Sequence, residues 1–294
     1  MDQNEWLAER FEEHRARLRA VAYRMLGSLA EADDAVQDTW LRLSRPETGE
    51  VDNLGGWLTT VVARVCLNKL RSRAARREES LSVHLPDRVI RPVGTLQPDD
   101  EALLADSVGL ALLVVLETLT PAERLAFVLH DMFKLPFEEI ASMVGRSPAA
   151  ARQLASRARR RVKGAEVPAP DPDLARQREV VDAFFAAARG GDFDGLVALL
   201  DPDVVVRTDF GARRPPAPAV VHGAEAVAAQ AIRFALPNAD LHPALVNGAA
   251  GIVVTVGGRP SAVLGFIVTN GRIVEIDAIA DPARVRRMAA AVLG

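Results

Sequence analysis

Between Ser147 and Lys163 the chain reads SPAAARQLASRARRRVK, with six arginines or lysines and no acidic residue. Guanidinium groups suit two tasks on nucleic acid: bidentate hydrogen bonds to base edges and neutralisation of phosphates. A neighbouring glutamine suits base edges as well. On a helix of this sequence Ala151, Leu154, Ala155, Ala158 and Val162 face inward. Arg152, Gln153, Ser156, Arg157 and Arg160 then point toward a groove, with Arg146 and Ser147 at the helix start. An ordinary exposed helix intersperses glutamates among its arginines, so the unmixed charge argues for an anionic partner.

A second basic block, Arg64, Lys69, Arg71, Arg73, Arg76 and Arg77, has no acidic residue among its members; it includes Asn68 and is preceded by Trp57 at a helix start. The combination suits a phosphate backbone with a stacking platform for unpaired bases. Trp57 taken alone, spaced helically with Leu58, Val61 and Val62, reads as packing. Upstream, EADDAVQDTWLRL carries Glu31, Asp33, Asp34 and Asp38 beside Ala35, Val36, Trp40, Leu41 and Leu43. That face suits a protein partner or, on composition alone, solvent. The candidate acid–base residues of the last third are Asp209, His222, Asp240, His242 and Asp277, and they form no recognisable motif. Asp201 and Asp240 read as turn residues and His222, before Gly223, as a loop residue. The expectation is therefore a protein that is not an enzyme and has neither cofactor nor metal.

The elements that must position these groups have local signals. Thr120, Pro121 and Glu123 form a capping box, Gly145 permits a tight turn, and Ser147 with Pro148 opens the next helix. The unit is a helix-turn-helix. Ser28 followed by Glu31 opens another helix, after FEEHRARLRAVAYRML and before GWLTTVVARVCLNKLRSR. Periodicity fails from Glu78 to about Asp100, where Pro86, Pro92, Gly94 and Pro98 mark a linker, and EVPAPDPDL marks another. Beyond Leu174 the pattern becomes helices followed by strand-like runs: DVVVRTDF, APAVVHG, ALVNGAAGIVVTV, PSAVLGFIVT and RIVEIDAIA. Asn270-Gly271 and Gly257-Gly258 are hairpin signals there.

Composition bounds the possibilities. A chain of 294 residues with 49% hydrophobic residues builds ordinary cores and suggests two domains. Thirty-six basic and 39 acidic side chains leave a net charge of -3, so nucleic-acid affinity must come from local patches. A single cysteine, Cys66, excludes an internal disulfide and a multi-cysteine zinc site. The acidic start MDQNEWLAERFEEH is unlike a signal peptide, and the longest apolar run, Val108 to Leu116, is too short to span a bilayer. A soluble, cytoplasmic protein without membrane partners is expected.

The order of acidic helix, Trp-led basic helix, linker and basic helix-turn-helix closely resembles the extracytoplasmic-function sigma factors of bacterial RNA polymerase, over residues 5 to 163. The resemblance implies a multidomain protein with two all-α sigma domains, a region 2 helical bundle and a region 4 helix-turn-helix. The acidic helix, through Asp33, Asp34, Gln37, Asp38 and Leu41, would dock on the β′ clamp helices of core RNA polymerase, with the β flap as a further contact. The segment from Arg45 to Leu54 and the next helix, through Trp57, Arg64, Asn68, Lys69, Arg71 and Arg73, would hold open the minus-10 promoter element. Arg146, Ser147, Arg152, Gln153, Ser156, Arg157 and Arg160 would read the minus-35 element. DVVVRTDFGARR and ADPARVRRM further resemble a subgroup whose chain continues into an α+β SnoaL-like cone acting in cis on the linker. Leu85, Pro86, Asp209, Gly211, Arg213, Asp281 and Pro282 are its implied regulatory contacts, and a small ligand could occupy the cone. The expected divisions are 1-78 (region 2), 79-100 (linker), 101-165 (region 4), 166-173 (linker) and 174-294 (cone). About twenty linker residues extended at roughly 3.3 Å each span about 65 Å, enough to place two DNA readers about two helical turns apart.

Two other functions are compatible with parts of the pattern. A one-component helix-turn-helix regulator sensing a ligand in the cone leaves the acidic helix and the second basic helix unexplained. A SnoaL-like enzyme with a DNA-binding appendage requires a polar pocket around a carboxylate pair such as Asp209 and Asp277.

Overall fold

The computed structural model describes residues 3–44, 53–76, 85–94, 110–164, 170–211 and 218–293. The chain forms two compact units. One comprises Met1–Ser80, Pro98–Leu104 and Leu112–Val167; the other comprises Leu81–Gln97, Ala105–Ala111 and Pro168–Gly294.

The first unit is helical: α1 (Gln3–Leu26), α2 (Leu29–Leu43), α3 (Leu54–Arg76), α4 (Leu110–Glu117), α5 (Pro121–Phe127), a π turn (Val128–Met132), α6 (Phe137–Val144) and α7 (Pro148–Gly164). Local chemistry sets the boundaries. The Ser28 hydroxyl accepts from the Glu31 amide at the start of α2, and at α5 the reciprocal Thr120–Glu123 capping box is complete. Gly145 ends α6 in the left-handed region at φ 69°, after which the Ser147 hydroxyl accepts from the Ala150 amide at 3.2 Å. The core joins Leu18, Val21 and Met25 of α1 to Ala35 and Val36 of α2 and Leu58, Val62 and Cys66 of α3. Arg124, buried in α5, donates to the Arg24 carbonyl at 3.1 Å and pairs with Glu117 at 2.8 Å. Helices α1 and α5 are thereby tied by charge-assisted bonds that satisfy an otherwise costly buried cation. Cys66 is fully buried, and desolvation pushes its thiol up to about 12, so at neutral pH it is a small core residue rather than a nucleophile.

The second unit is α+β, as the sequence pattern predicts. It comprises β1 (Ile90–Pro92), α8 (Leu174–Gly190), α9 (Phe193–Leu199), β2 (Leu200–Asp209), β3 (Val220–His222), α10 (Ala224–Phe234), β4 (Ala239–Val246), β5 (Ala249–Val256), β6 (Arg259–Thr269), β7 (Arg272–Ile279) and α11 (Pro282–Leu293). The seven strands run in the order β1-β4-β5-β6-β7-β2-β3. Only the β2–β7 pair is parallel. Gly257-Gly258 and Asn270-Gly271 turn the hairpins with both residues at positive φ, as type I′ turns require. Phe184, Leu196, Val204, Val227, Phe266 and Ile276 belong to its core.

Three features correct the sequence reading. ALVNGAAGIVVTV is not one strand: Asn247 (φ 50°) and Gly248 (φ 81°) form a third tight turn between β4 and β5. The small residues after it obscure the alternation that flags a hairpin. Asp201, His222 and Asp240, read as turn or loop residues, lie in β2, β3 and β4, although Asp201 still accepts from the Asp203 amide at 3.0 Å, where the β2 pairing is irregular. Part of the linker also joins the sheet. Ile90, Arg91 and Pro92 pair with Val246, Leu245 and Ala244, an edge position that tolerates proline.

Candidate nucleic-acid faces and a linker dock

Helix α7 buries Ala151, Ala155 and Ala158, and Arg152, Gln153, Ser156, Arg157 and Arg160 are all exposed, as are Arg146 and Ser147. The basic residues divide by function within the fold. Arg159 pairs with Asp131 at 2.9 Å and Arg161 with Glu123 at 3.2 Å, so both turn toward their own scaffold. Arg152 is held above the Phe137 ring, 5.4 Å from its centroid, with Glu138 at 3.4 Å. That contact orients the guanidinium at the entrance of the face.

On α3, Trp57, Arg64, Asn68 and Arg71 recur at helical spacing. Arg64, Asn68 and Arg71 are exposed, and Trp57 is half-buried. Lys69 and Arg73 lie on the flank toward α2. Lys69 is 3.9 Å from Asp34, and Arg73 donates to the Leu26 carbonyl at 2.9 Å and pairs with Glu31. Helix α2 buries Ala35, Val36 and Leu43 and exposes Asp33, Asp34, Gln37, Asp38 and Leu41 together. Leu41 is 53% exposed, an apolar group in the middle of a carboxylate-rich face. Asp33 also bonds Arg19 at 2.6 Å. The promoter-contact expectation for Arg45 to Leu54 falls largely outside the described residues, as does Arg213.

The second unit binds residues 85–92 through a dense polar dock. The Leu85 amide donates to Asp209 Oδ2 at 2.9 Å. Arg284 donates to the same carboxylate at 2.5 Å, to Asp87 at 2.7 Å and to the Leu85 carbonyl at 2.6 Å. Arg88 and Asp277, each with its side chain 1% exposed, pair at 2.7 Å. Val89 and Asn247 exchange two bonds, at 2.7 and 2.8 Å. Pro86 is buried in the same stretch. Asp281 caps α11 by accepting from the Ala283 and Arg284 amides, which aims Arg284 at the linker; Pro282 is the helix's first residue. Gly211 (φ 64°) accepts no Cβ, because Asp281 occupies that space.

The structure thus brings Leu85, Asp209, Gly211 and Asp281 into one site. It adds Asp87, Arg88, Asn247, Glu275 and Arg284, to which the sequence reading gave no docking role, and it turns Asp277 from a candidate acid into the partner of Arg88. The available signal was in RIVEIDAIA, where carboxylates at 275 and 277 interrupt an apolar strand with period two.

Arg88, Arg207 and Arg284 pair with Asp87, Asp209, Glu275 and Asp277. Burial first, and then the neighbouring Asp277, push the Glu275 carboxyl up from 4.5 to about 7, against the opposing pull of Arg207 and Arg88. A raised folded-state value means that its stabilising contribution is complete below pH 4.5 and is lost as pH rises through 7. Urea midpoints of the native chain are expected to fall between pH 5 and pH 8 more steeply than those of Glu275→Gln, by up to about 3 kcal/mol of differential stability. Parallel pH profiles of the two proteins would contradict this.

On the other side of β2 and β7 lies a cavity of about 270 Å³ lined by Phe184, Phe185, Val206, Phe210, Leu241 and Ile276 among others. No carboxylate or histidine is among its described lining residues. Asp209 and Asp277 therefore do not converge on it. His242 bonds Thr255 at 3.0 Å, and among the described residues no group of His, Cys, Asp and Glu could hold a metal. No helix among the described residues is long and apolar enough to cross a membrane.

Residues 10–76 match the Sigma-70 region 2 family and residues 109–162 the Sigma-70 region 4 family. The chain is 40% identical over 289 residues to the ECF RNA polymerase sigma factor SigJ of Mycobacterium tuberculosis, covering 92% of this chain and 91% of that protein. It is 35% identical over 284 residues to the probable ECF RNA polymerase sigma factor SigI of the same species, covering 96% of both. The crystal structure of Mycobacterium tuberculosis SigJ superimposes with a TM-score of 0.73 at 36% identity, covering 94% of this chain and 97% of that one. With two sigma regions in sequence and a full-length structural counterpart, the chain belongs to the extracytoplasmic-function sigma factors, which direct RNA polymerase to promoters.

Proposed function

We propose that this sigma factor engages polymerase and promoter through three faces and is regulated in cis by its second unit. The α2 face of Asp33, Asp34, Gln37, Asp38 and Leu41 meets the β′ clamp helices, with the β flap contacting region 4. The α3 stripe from Trp57 to Arg71, flanked by Lys69 and Arg73, holds the minus-10 element. Arg146, Ser147, Arg152, Gln153, Ser156, Arg157 and Arg160 read minus-35. The protein works in the cytoplasm and catalyses nothing itself, since the buried carboxylates of the second unit are engaged by arginines. A small ligand in the cavity is a further input.

The observation that carries cis regulation is the dock itself: residues 85–92 are hydrogen-bonded into the sheet of the second unit. A linker held there is not free to extend, so the separation that the two DNA readers reach becomes a property of that unit. Run-off transcription with bacterial core polymerase, on the promoter upstream of the protein's own gene, tests both parts. The full chain and a truncation ending near Pro168 are compared. Specific transcript with a several-fold difference between them supports the reading. Equal transcript removes cis regulation, and no transcript with no core binding removes the proposed faces.

A further inference from the structure

We propose that the cavity of the second unit is a receptor site for a small, uncharged, apolar molecule, and that occupancy is transmitted through β2 and β7 to the linker dock. The inference deepens the cis-regulatory reading and rests on it for its consequence, though not for the binding.

The chemical class follows from the lining. Phenylalanines 184, 185 and 210 with Leu241, Val254 and Leu264 are among the apolar lining residues, and the polar side chains among the described lining residues are Thr208, Gln230, Ser261 and Arg189. Arg189 is exposed and already donates to the Ala239 carbonyl. That hydrogen bond leaves the Arg189 charge unneutralised but at a solvent-exposed side chain, so an anion in the apolar interior would find no counter-charge beside it among the described lining residues, which disfavours it. A neutral apolar molecule gains burial at no such cost. An apolar cavity of about 150 Å³ accepts benzene. By that ratio a space of 270 Å³ takes roughly ten to twelve non-hydrogen atoms. Phe234 and Leu236, 44% and 46% exposed, form an apolar rim open to an entering ligand.

The coupling follows from the pleat. On β2, Val206 and Thr208 line the cavity, whereas Arg207 and Asp209 belong to the polar cluster of the dock. On β7, Ile276 and Ala278 line the cavity, whereas Glu275 bonds Arg207 and Asp277 bonds Arg88. Successive side chains of a strand point to opposite faces, so each cavity residue on these strands is covalently next to a dock residue. Phe210 is the most direct link. It is a cavity wall, between Asp209, which accepts from the Leu85 amide, and Gly211, whose amide donates to Asp209 Oδ1 at 2.8 Å. A ligand that moves the Phe210 ring acts on the backbone that holds the linker, which supplies the differential contact that a ligand-driven equilibrium requires.

The test uses the full chain with naphthalene as probe and 2-naphthoate as its charged counterpart, both titrated by fluorescence. Naphthalene is expected to saturate one site per chain with Kd on the order of 10–100 µM, and naphthoate to bind at least tenfold more weakly. Ala231→Phe and Ala262→Phe, on separate walls of the cavity, should each weaken naphthalene at least tenfold while thermal melts remain cooperative. Hydrogen exchange at the Leu85 and Val89 amides should change severalfold at saturation. Unaltered binding by both variants, or preference for naphthoate, overturns the receptor assignment. Saturable binding without any change at Leu85 and Val89 overturns the coupling. Absence of binding, with the truncation still altering transcription, overturns this inference and leaves cis regulation standing.

Discussion

Asp277→Ala is expected to destabilise the second unit by about 3–5 kcal/mol, the range for removing one partner of a buried ion pair. The reason is the position of Arg88. Its side chain is 1% exposed, Asp277 is the carboxylate bonded to it, and its Nε and Nη1 atoms are buried without a partner among the described contacts. The cation left behind would have neither water nor a bonded anion, so the linker must leave the sheet or the charge must be endured. Arg88→Met should cost less, because Asp277 keeps Arg207 at 3.5 Å. The double variant Arg88→Met, Asp277→Leu should recover most of the loss, since no uncompensated charge remains. Urea unfolding followed by circular dichroism, with Asp277→Leu as the matching single variant, gives all the terms of the cycle. A loss below about 1 kcal/mol for Asp277→Ala would show that the pair is hydrated or bypassed. The dock would then owe its geometry to Arg284, Asp209 and the edge strand.

Arg152→Ala together with Arg157→Ala is expected to reduce specific transcript by about 100-fold or more while leaving core polymerase binding unchanged. Each well-formed bidentate base contact supplies about 1–3 kcal/mol of discrimination, and two lost contacts combine to at least tenfold each near the middle of that range. Arg152 is poised by Phe137 and Glu138, whereas Arg157 is exposed five residues further on. Arg161→Ala serves as the contrast. Its guanidinium is committed to Glu123 and reaches the Thr118 carbonyl at 3.4 Å, so its removal should lower stability and spare promoter choice. Binding to duplexes with and without the minus-35 element, over a range of salt, separates the roles. Loss of a base contact relaxes sequence preference, and loss of a phosphate contact weakens all duplexes and lowers the salt slope by about one. If the double variant weakens all sequences alike, both arginines contact phosphates and base reading falls to Gln153 and Ser156.

How much of this was legible before the structure depends on the range of each interaction. The helix-turn-helix was readable because its determinants lie within a few residues: the Thr120–Glu123 box, the left-handed Gly145 and the Ser147 cap. The exposed faces of α2 and α7 were readable because a period of 3.6 fixes which residues share a side once the small alanines are assigned inward. Strand count was less secure. Gly257-Gly258 and Asn270-Gly271 announced hairpins, whereas Asn247-Gly248 was lost among alanines and glycines whose alternation carries no hydrophobic signal.

By itself the sequence determined the two sigma regions, their basic and acidic faces, and the presence of an α+β unit after a second linker. The tertiary structure decided what the first linker does. Leu85 meets Asp209 across 124 residues, Arg88 meets Asp277 across 189, and Arg284 meets Asp87 across 197. No local propensity encodes such pairs. They exist because the parallel β2–β7 register places Asp209 and Asp277 on the face opposite the cavity, where an edge strand from the linker can reach them. Capping and helical periodicity are settled within a turn of chain; the partner of a buried charge is settled only when the sheet closes and fixes which side of each strand is turned toward it.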